Sequence, residues 1–192
     1  MKAYYDARAP EYDDWYYGQG QFVGRDRPGW KEELAALEAA LRSLPPARTL
    51  DVACGTGYLT RWLPGDVTAL DQSDGMLAEA RARLPHAKLV RADALEPLPF
   101  ADRAFERVFT AHFYGHLEPV ERERFLPEAR RLAPELVVVD SAGTGEEWQE
   151  RTLNDGTQWR VYKRWFTGEA LLEELGGGRA LHDGRWVVAV AS

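Results

Sequence analysis

The chain has 192 residues, a length that suits a single domain with one packed core. Hydrophobic residues make up 45% of it and charged residues 29%, which is typical of an ordinary soluble globular protein. The formal net charge of −7 repels a phosphate backbone, so we expect no nucleic acid among the partners.

Cysteine content and hydropathy indicate the compartment. Cys54 is the only cysteine, so no intrachain disulfide can form and no oxidising compartment is needed. No apolar run approaches the roughly 20 residues that span a bilayer, and the first residues contain no stretch of signal-peptide type. We therefore expect a cytoplasmic protein that does not enter a membrane. No group of side chains has the spacing of a metal site, and the sequence does not indicate an oligomeric state.

The first thirty residues are crowded with aromatic side chains among acids and glycines. These aromatic residues are Tyr4, Tyr5, Tyr12, Trp15, Tyr16, Tyr17, Phe22 and Trp30. Apolar residues then recur at helical spacing from Trp30 to Leu44, and the following Pro45-Pro46 pair ends that predicted helix. We interpret 1–30 as a segment that precedes a core at 31–192, both within one domain.

The middle of the chain alternates between predicted strands and helices. The predicted strands are 49–54, 67–71, 88–91, 105–110 and 136–140. The predicted helices are a short one from Gly57, one from the N-cap Ser73 through Leu84, and one from Pro119 to Leu132 that Pro127 would kink or split. Such alternation predicts βαβ units and a mostly parallel sheet, with the ligand at the carboxyl ends of the strands.

The last fifty residues are less regular. Residues 158–166 are strand-like and aromatic, and 186–190 form a final predicted strand. Between them Thr167 can cap a helix through Leu175, which a run of three glycines ends. The whole pattern predicts a doubly wound α/β fold.

The sequence LDVACGTGYL at 50–59 carries the strongest functional signal. A buried strand runs directly into two glycines, Gly55 and Gly57, where the backbone can turn sharply and approach a ligand. A dinucleotide loop would need a third glycine where this chain has Thr60. Asp51, four residues before the loop, suits a ligand that carries an ammonium group.

An acid also ends the second predicted strand, in the sequence LDQS. Asp71 stands about 14 residues beyond the glycine loop, where a carboxylate can accept hydrogen bonds from both hydroxyls of an adenosine ribose. The alternative is that Asp71 caps the next helix together with Ser73. The glycine loop on the preceding strand favours the ribose role.

These motifs resemble those of the class I S-adenosylmethionine-dependent methyltransferases. The resemblance covers roughly residues 4–141 and is most specific in DVACGTG (51–57), LDQS (70–73) and ADAL (92–95), with LPFADRAFERVF (98–109) leading into the fourth strand. It is closest to small-molecule enzymes, including relatives of the C-methyltransferases of quinone biosynthesis. It implies a Rossmann-like, doubly wound, mostly parallel seven-stranded sheet with helices on both faces.

The same resemblance assigns roles by position. Gly55 and Gly57 would pack against the methionyl part of S-adenosylmethionine, with Asp51 near its amino group and Asp71 on the ribose. The adenine would be contacted by Gln72, Met76, Asp93 and the backbone N–H of Ala94. Met76 could equally be a core residue, because it lies at helical spacing from other apolar positions.

The segment after the fourth strand, with the sequence TAHFYGHL, is the predicted acceptor side of the cleft. His112, Tyr114 and His116 occupy alternate positions and offer a base with an ordinary pKa near 6.5 or hydrogen bonds to an acceptor. A structural role for each histidine is the alternative. The N-terminal segment resembles a lid, with Tyr12 nearest the methionyl end, although its aromatic rings could instead be buried against the domain.

The sequence therefore predicts methyl transfer to a small-molecule acceptor, with His112 or His116 as the base where one is needed. Two alternatives remain at this point. One is a nicotinamide-dependent oxidoreductase, which the incomplete glycine loop disfavours. The other is a non-catalytic protein that binds S-adenosylmethionine and regulates or scaffolds, whose binding residues would look the same.

Overall fold

A seven-stranded sheet forms the centre of the computed structural model, which describes residues 1–192. The nine strands of the chain are β1 (Thr49–Val52), β2 (Val67–Asp71), β3 (Lys88–Arg91), β4 (Arg107–Ala111), β5 (Glu135–Ser141), β6 (Glu146–Thr152), β7 (Gln158–Arg164), β8 (Arg179–Asp183) and β9 (Val187–Ala191). Seven of them join in the order β3-β2-β1-β4-β5-β9-β8. The pairs among β1 to β5 are parallel and β9 is antiparallel to both neighbours, which confirms the predicted doubly wound sheet.

Six helices accompany the strands. They are α1 (Lys2–Arg8), α2 (Asp14–Tyr17), α3 (Trp30–Arg42), α4 (Asp74–Arg83), α5 (Pro119–Leu132) and α6 (Gly168–Glu174). The predicted N-caps are present, since the Ser73 and Thr167 side chains accept the free N–H groups of Met76 and Ala170. None of these helices is both long and apolar enough to cross a bilayer.

The core lies on both faces of the sheet, as β5 illustrates. Leu136 and Val138 of this strand pack in one apolar cluster with residues of α5 and α6, whereas Val137 and Val139 pack in a second cluster with residues of α3. All four side chains are fully buried, and each contributes about 1.5–3 kcal/mol to folding. A strand buried on both faces reads as a continuous apolar run, and for this reason the sequence revealed it.

Two helix predictions need correction. The short helix expected from Gly57 is a 3₁₀ turn at Thr60–Trp62, because Gly57 has a left-handed φ of +75° that no right-handed helix can include. Pro127 neither splits nor ends α5. Pro127 and Glu123 are both exposed, so water can hydrate the Glu123 carbonyl that the proline leaves without a donor.

Two strands were missed and one was misplaced by the sequence analysis. The predicted strand at 158–166 exists as β7, but it pairs with β6 in a separate antiparallel hairpin outside the main sheet. β6 was missed because its sequence, EEWQERT, is charged and largely exposed. β8 is a polar edge strand that directly follows the glycine run, so no apolar pattern marks it.

The aromatic N-terminal segment bridges two parts of the fold. Tyr4 on α1 is buried in a small apolar cluster with Leu153 and Val161 from the hairpin region. On its other side α1 packs against α4. The contact is close at Gly75, where an added Cβ would lie 3.0 Å from the Ala9 Cβ and 3.2 Å from the Asp6 carbonyl oxygen. The segment therefore crosses from α4 to the β6–β7 hairpin and covers the ends of the central strands.

Candidate active site

A cavity of about 670 Å³ lies at the carboxyl ends of β1 to β4. We call it the first cavity. The loops that follow these four strands line it, and so do the N-terminal segment and α4. This is where a doubly wound sheet binds its ligand, and the sequence analysis expected the ligand there.

Gly55 leaves the first cavity open. Its φ is +56°, and a Cβ added there would project between the Tyr12 ring, at 3.6 Å, and the Met76 sulfur, at 4.0 Å. Gly57 does not line the first cavity. A Cβ there would lie 2.7 Å from a methyl carbon of Leu84, so this glycine makes room for the end of α4 to pack, and its contact with the methionyl part stays a prediction.

Two residues other than glycine also have left-handed backbones at this cavity. Ala53 has a φ of +58° after β1, and His112 has a φ of +53° after the neighbouring β4. Such conformations cost of order 1–3 kcal/mol each and persist only where surrounding structure fixes them. The His112 N–H donates to the Val139 carbonyl at 2.8 Å, which holds this turn against β5.

Asp71 connects the strand end to the glycine loop. One carboxylate oxygen accepts the Gly55 N–H at 2.9 Å, and the other accepts the Ser73 N–H at 2.8 Å. Burial raises its pKa, although these N–H groups oppose the shift. Asp71 therefore supports the start of α4, as the structural alternative held, and it also lines the first cavity.

Asp51 contains an unpartnered buried oxygen. Its Oδ2 accepts the Thr60 hydroxyl at 2.5 Å, whereas its Oδ1 has no partner. Asp51 lines a small cavity of about 260 Å³ that shares Tyr12, Ala53 and Ala111 with the first cavity. Burial raises the pKa of Asp51 to about 8, because no cationic partner stabilises the buried carboxylate.

The structure also places the other residues that the sequence predicted for the adenine. Four of them line the first cavity, namely Gln72, Met76, Asp93 and Ala94. Met76 is fully buried, so it is at once a core residue and part of the cavity wall. The Asp93 side chain is exposed and accepts the Leu95 N–H at 3.0 Å.

The N-terminal segment is fastened over this loop by a network of polar contacts. The Asp13 carboxylate accepts the Thr56 hydroxyl at 2.6 Å and the Arg83 guanidinium at 2.6 Å. Arg83 also donates to the Thr56 carbonyl at 2.7 Å. The network joins the 1–30 segment, the glycine loop and α4, and it holds Tyr12 beside Gly55.

A second, wider cavity of about 1,670 Å³ opens on the far side of Tyr12. The N-terminal segment and the β6–β7 hairpin form most of its wall. Three residues line both this second cavity and the first, namely Tyr12, His112 and His116. The structure thus brings together the lid tyrosine and the two histidines that the sequence analysis selected.

The protonation of His116 follows from its partner. Its Nδ1 lies 2.6 Å from the Tyr162 carbonyl oxygen, which can only accept, so Nδ1 carries the hydrogen. Nε2 is left with a free lone pair. Burial lowers the pKa of His116 well below the ordinary value, and the nearby Lys163 charge acts in the same direction.

His112 has a similar environment. Its Nε2 is buried and has no hydrogen-bond partner, and its ring packs edge-on against Trp15 with centroids 4.9 Å apart. Burial lowers the pKa of His112 to about 4. Both histidines are therefore neutral at pH 7, because burial lowers each pKa below the ordinary value near 6.5.

Tyr114 does not belong to the site. It is fully buried, its hydroxyl donates to Glu174 on α6 at 2.8 Å, and it lines neither cavity. The predicted alternation failed because Tyr114–His116 forms a 3₁₀ turn rather than a strand. His116 in that turn and His112 before it line the cavities, whereas Tyr114 points into the core.

The wall of the second cavity contains cationic residues that the sequence analysis did not select. Arg8 comes from α1, Arg25 from the stretch before α3, Arg151 from β6 and Lys163 from β7. Lys163 is buried and pairs with Asp140 at 2.6 Å. The sequence analysis assigned these residues no role, because Arg151 and Lys163 come from a hairpin whose pairing it did not predict.

Comparisons with known proteins identify relatives of this chain. A family described as a methyltransferase domain matches residues 49–135. Demethylmenaquinone methyltransferase of Renibacterium salmoninarum is 37% identical over 137 residues, which are 69% of this chain and 53% of that protein. This chain therefore spans about half the length of that relative.

Solved structures resemble the whole chain. A DhpI-SAM-HEP complex is similar over 99% of this chain and 94% of its own, with 29% identity and a TM-score of 0.79. The glycopeptide N-methyltransferase MtfA, complexed with (S)-adenosyl-L-methionine, has a TM-score of 0.60 at 20% identity, covering 82% of this chain and 91% of its own. The second likeness concerns the fold alone.

Proposed function

We propose that this chain, which belongs to the class I S-adenosylmethionine-dependent methyltransferases, transfers a methyl group from that cofactor to a small-molecule acceptor. One observation carries the proposal. The cavity lined by the predicted cofactor residues meets a second, open cavity only at Tyr12 and the two neutral histidines. An acceptor in the second cavity would therefore reach the first at groups that can accept hydrogen bonds.

The residues of the first cavity, together with Asp51 in the small cavity beside it, fit S-adenosylmethionine. The unpartnered Oδ1 of Asp51 is suited to the cofactor's amino group, and the absent Cβ of Gly55 leaves space for the methionyl part. Asp71 would bind the ribose with the lone pairs that its backbone contacts leave free. The adenine would be bound by the wall that includes Met76 and Asp93. When bound, the cofactor supplies an electrophilic methyl group.

This chain's own residues then position the acceptor and exclude water. His116 is the better candidate base, because the Tyr162 carbonyl fixes its orientation and its Nε2 can take a proton from an acceptor hydroxyl or amine. His112, buried against Trp15, would shape the junction between the cavities. The match to a methyltransferase family disfavours the nicotinamide alternative. Thr60 also stands where a dinucleotide loop would have its third glycine, and its hydroxyl donates to Asp51 instead.

Two measurements test the proposal. Calorimetry of the purified protein should show binding of S-adenosylmethionine and of its demethylated product, and none of NAD. Protein supplied with methyl-tritiated cofactor should label at least one compound in a metabolite extract. Binding without any labelling would contradict methyl transfer and favour the non-catalytic alternative, whereas binding of NAD alone would contradict the cofactor assignment.

A further inference from the structure

Two arginines in the second cavity share a single neutral partner. The Arg8 guanidinium donates to the Tyr4 hydroxyl at 2.7 Å, and the Arg151 guanidinium donates to the same oxygen at 3.3 Å. Neither arginine has a carboxylate within 4.0 Å. Arg151 makes its other hydrogen bonds to the neutral Gln149 side chain. Two positive charges thus stand close together without a counter-charge.

The acidic residues on this wall do not neutralise them. Glu11 accepts the Asn154 N–H at 2.7 Å, Glu147 accepts the Gln149 amide at 3.0 Å, and Glu150 is exposed. Asp140, which is buried behind Lys163, is already paired with it. Arg25 also lines the cavity without an ion pair, and its guanidinium lies over the Phe22 ring. The wall therefore has unpaired positive charge at Arg8, Arg151 and Arg25, and only Arg8 and Arg151 meet at one shared oxygen, in a chain whose overall charge is negative.

An oxyanion is the kind of ligand that would neutralise these two guanidinium groups. Guanidinium groups present forked N–H donors that match the oxygens of a carboxylate or a phosphate, and such charge-assisted bonds are about twice as strong as neutral ones. A neutral ligand would leave the two like charges facing each other. The same cavity is lined by His112 and His116, so a molecule anchored at the arginines extends toward the proposed transfer site.

We infer that the methyl acceptor carries an oxyanion group, a carboxylate or a phosphate, which Arg8 and Arg151 bind. This inference rests on the proposed methyl transfer and names the chemical class of its acceptor. The positive pair also provides a local attraction for such an acceptor against the net negative charge of the chain.

Anion titrations test the inference without knowledge of the acceptor. The protein is saturated with S-adenosylhomocysteine and titrated calorimetrically with inorganic phosphate, with malonate and with the neutral malonamide. We expect saturable binding of phosphate or malonate, and the stronger of the two identifies the kind of oxyanion. Arg8→Gln and Arg151→Gln should each weaken that binding at least about tenfold, because each removes a charge-assisted contact.

Arg81→Gln is the matched control, since Arg81 is exposed on α4 and makes no ion pair or side-chain hydrogen bond. It should leave anion binding unchanged. If Arg8→Gln fails to fold, the anion affinity of Arg151→Gln alone still tests the inference. This inference alone is overturned if the wild type binds S-adenosylhomocysteine normally but binds neither anion. It is also overturned if both arginine variants bind the anion as tightly as the wild type does. Loss of S-adenosylhomocysteine binding by the wild type contradicts the proposed function instead.

Discussion

At the scale of single residues, Asp51 is a buried carboxyl group with no cationic partner. Its pKa is about 8, well above its ordinary value near 3.8, because it is buried with one oxygen unpartnered. The folded chain therefore holds a proton that the unfolded chain releases between pH 4 and pH 8. The stabilisation linked to that proton is complete below pH 4 and is lost as the pH rises toward 8.

Replacing Asp51 by Asn should remove this pH dependence. Relative to the wild type, the ligand-free Asp51→Asn variant should gain more than about 1 kcal/mol of stability between pH 5 and pH 8. The same variant should bind S-adenosylmethionine at least about tenfold more weakly, because the amino group loses its anionic partner. Thermal unfolding at several pH values and calorimetry measure the two effects. Parallel stability curves for the two proteins would contradict the assigned pKa.

Asp71→Ala should weaken binding of S-adenosylhomocysteine at least about tenfold, since hydrogen bonds to a charged group contribute about 1.5–3 kcal/mol each. The structure adds an expectation that the sequence did not give. The variant should also lose about 1–3 kcal/mol of stability, because the N–H groups of Gly55 and Ser73 lose their acceptor. Asp66→Ala, at an exposed loop position, is the control for both measurements. Unchanged affinity in a folded Asp71→Ala protein would leave Asp71 with a structural role only.

His116→Ala should lower kcat by about 10²–10⁴-fold and leave cofactor affinity nearly intact, if His116 is the base. Because the pKa of His116 lies well below 6.5, the base form is already populated at pH 6. The wild-type rate should accordingly show no rise between pH 6 and pH 8. His86→Ala, at an exposed histidine, should behave like the wild type. A higher KM with normal kcat would indicate binding rather than proton transfer, and a fully active His116→Ala would exclude both.

The sequence located site residues along the chain better than it predicted where their side chains point. Gly55, Asp71 and His116 were recognised because each follows a strand end, and strand ends of a parallel sheet converge. Gly57 and Tyr114 lie within two residues of Gly55 and His116, which line the first cavity, yet they face α4 and the core. Side-chain direction there depends on a left-handed φ and a 3₁₀ turn, which no spacing rule revealed.

At the scale of secondary-structure elements, periodicity succeeded where an element buries apolar residues. β1, β2, β4 and β5 were predicted from their apolar runs, and α3 was predicted from its leucine spacing. β6 and β8 have mostly polar sequences, and tertiary pairing alone makes them strands. The sequence analysis therefore did not predict the β6–β7 hairpin side of the second cavity.

The contact between the N-terminal segment and the glycine loop can be tested through Asp13. Asp13→Ala breaks one hydrogen bond to Thr56 and one partly exposed ion pair to Arg83, which together contribute on the order of 1–2 kcal/mol. We expect S-adenosylhomocysteine to dissociate about three- to tenfold faster, as stopped-flow fluorescence can measure. Asp26→Ala, on the same segment but exposed and unpaired, is the control. Equal dissociation rates in the two variants would show that this network does not retain the ligand.

At the scale of the whole molecule, the central sheet and the segments outside it form different cavities. The loops after β1 to β4 form the first cavity, which the sequence analysis anticipated from its motifs. The 1–30 segment and the β6–β7 hairpin form most of the second cavity, whose existence depends on how distant stretches pack. The sequence left open whether the aromatic segment acts as a lid or is buried against the domain, and it did not indicate that a hairpin packs against this segment.

The separate hairpin has an evolutionary consequence. β6 and β7 pair only with each other, so substitutions there do not disturb the hydrogen bonds of the central sheet. Codons for the exposed positions of residues 146–164 can therefore diverge between lineages without breaking the central sheet, whereas Lys163 is held by its buried partner Asp140. Under the proposed function, a duplicated gene of this kind acquires a new acceptor by changing one short stretch of its reading frame.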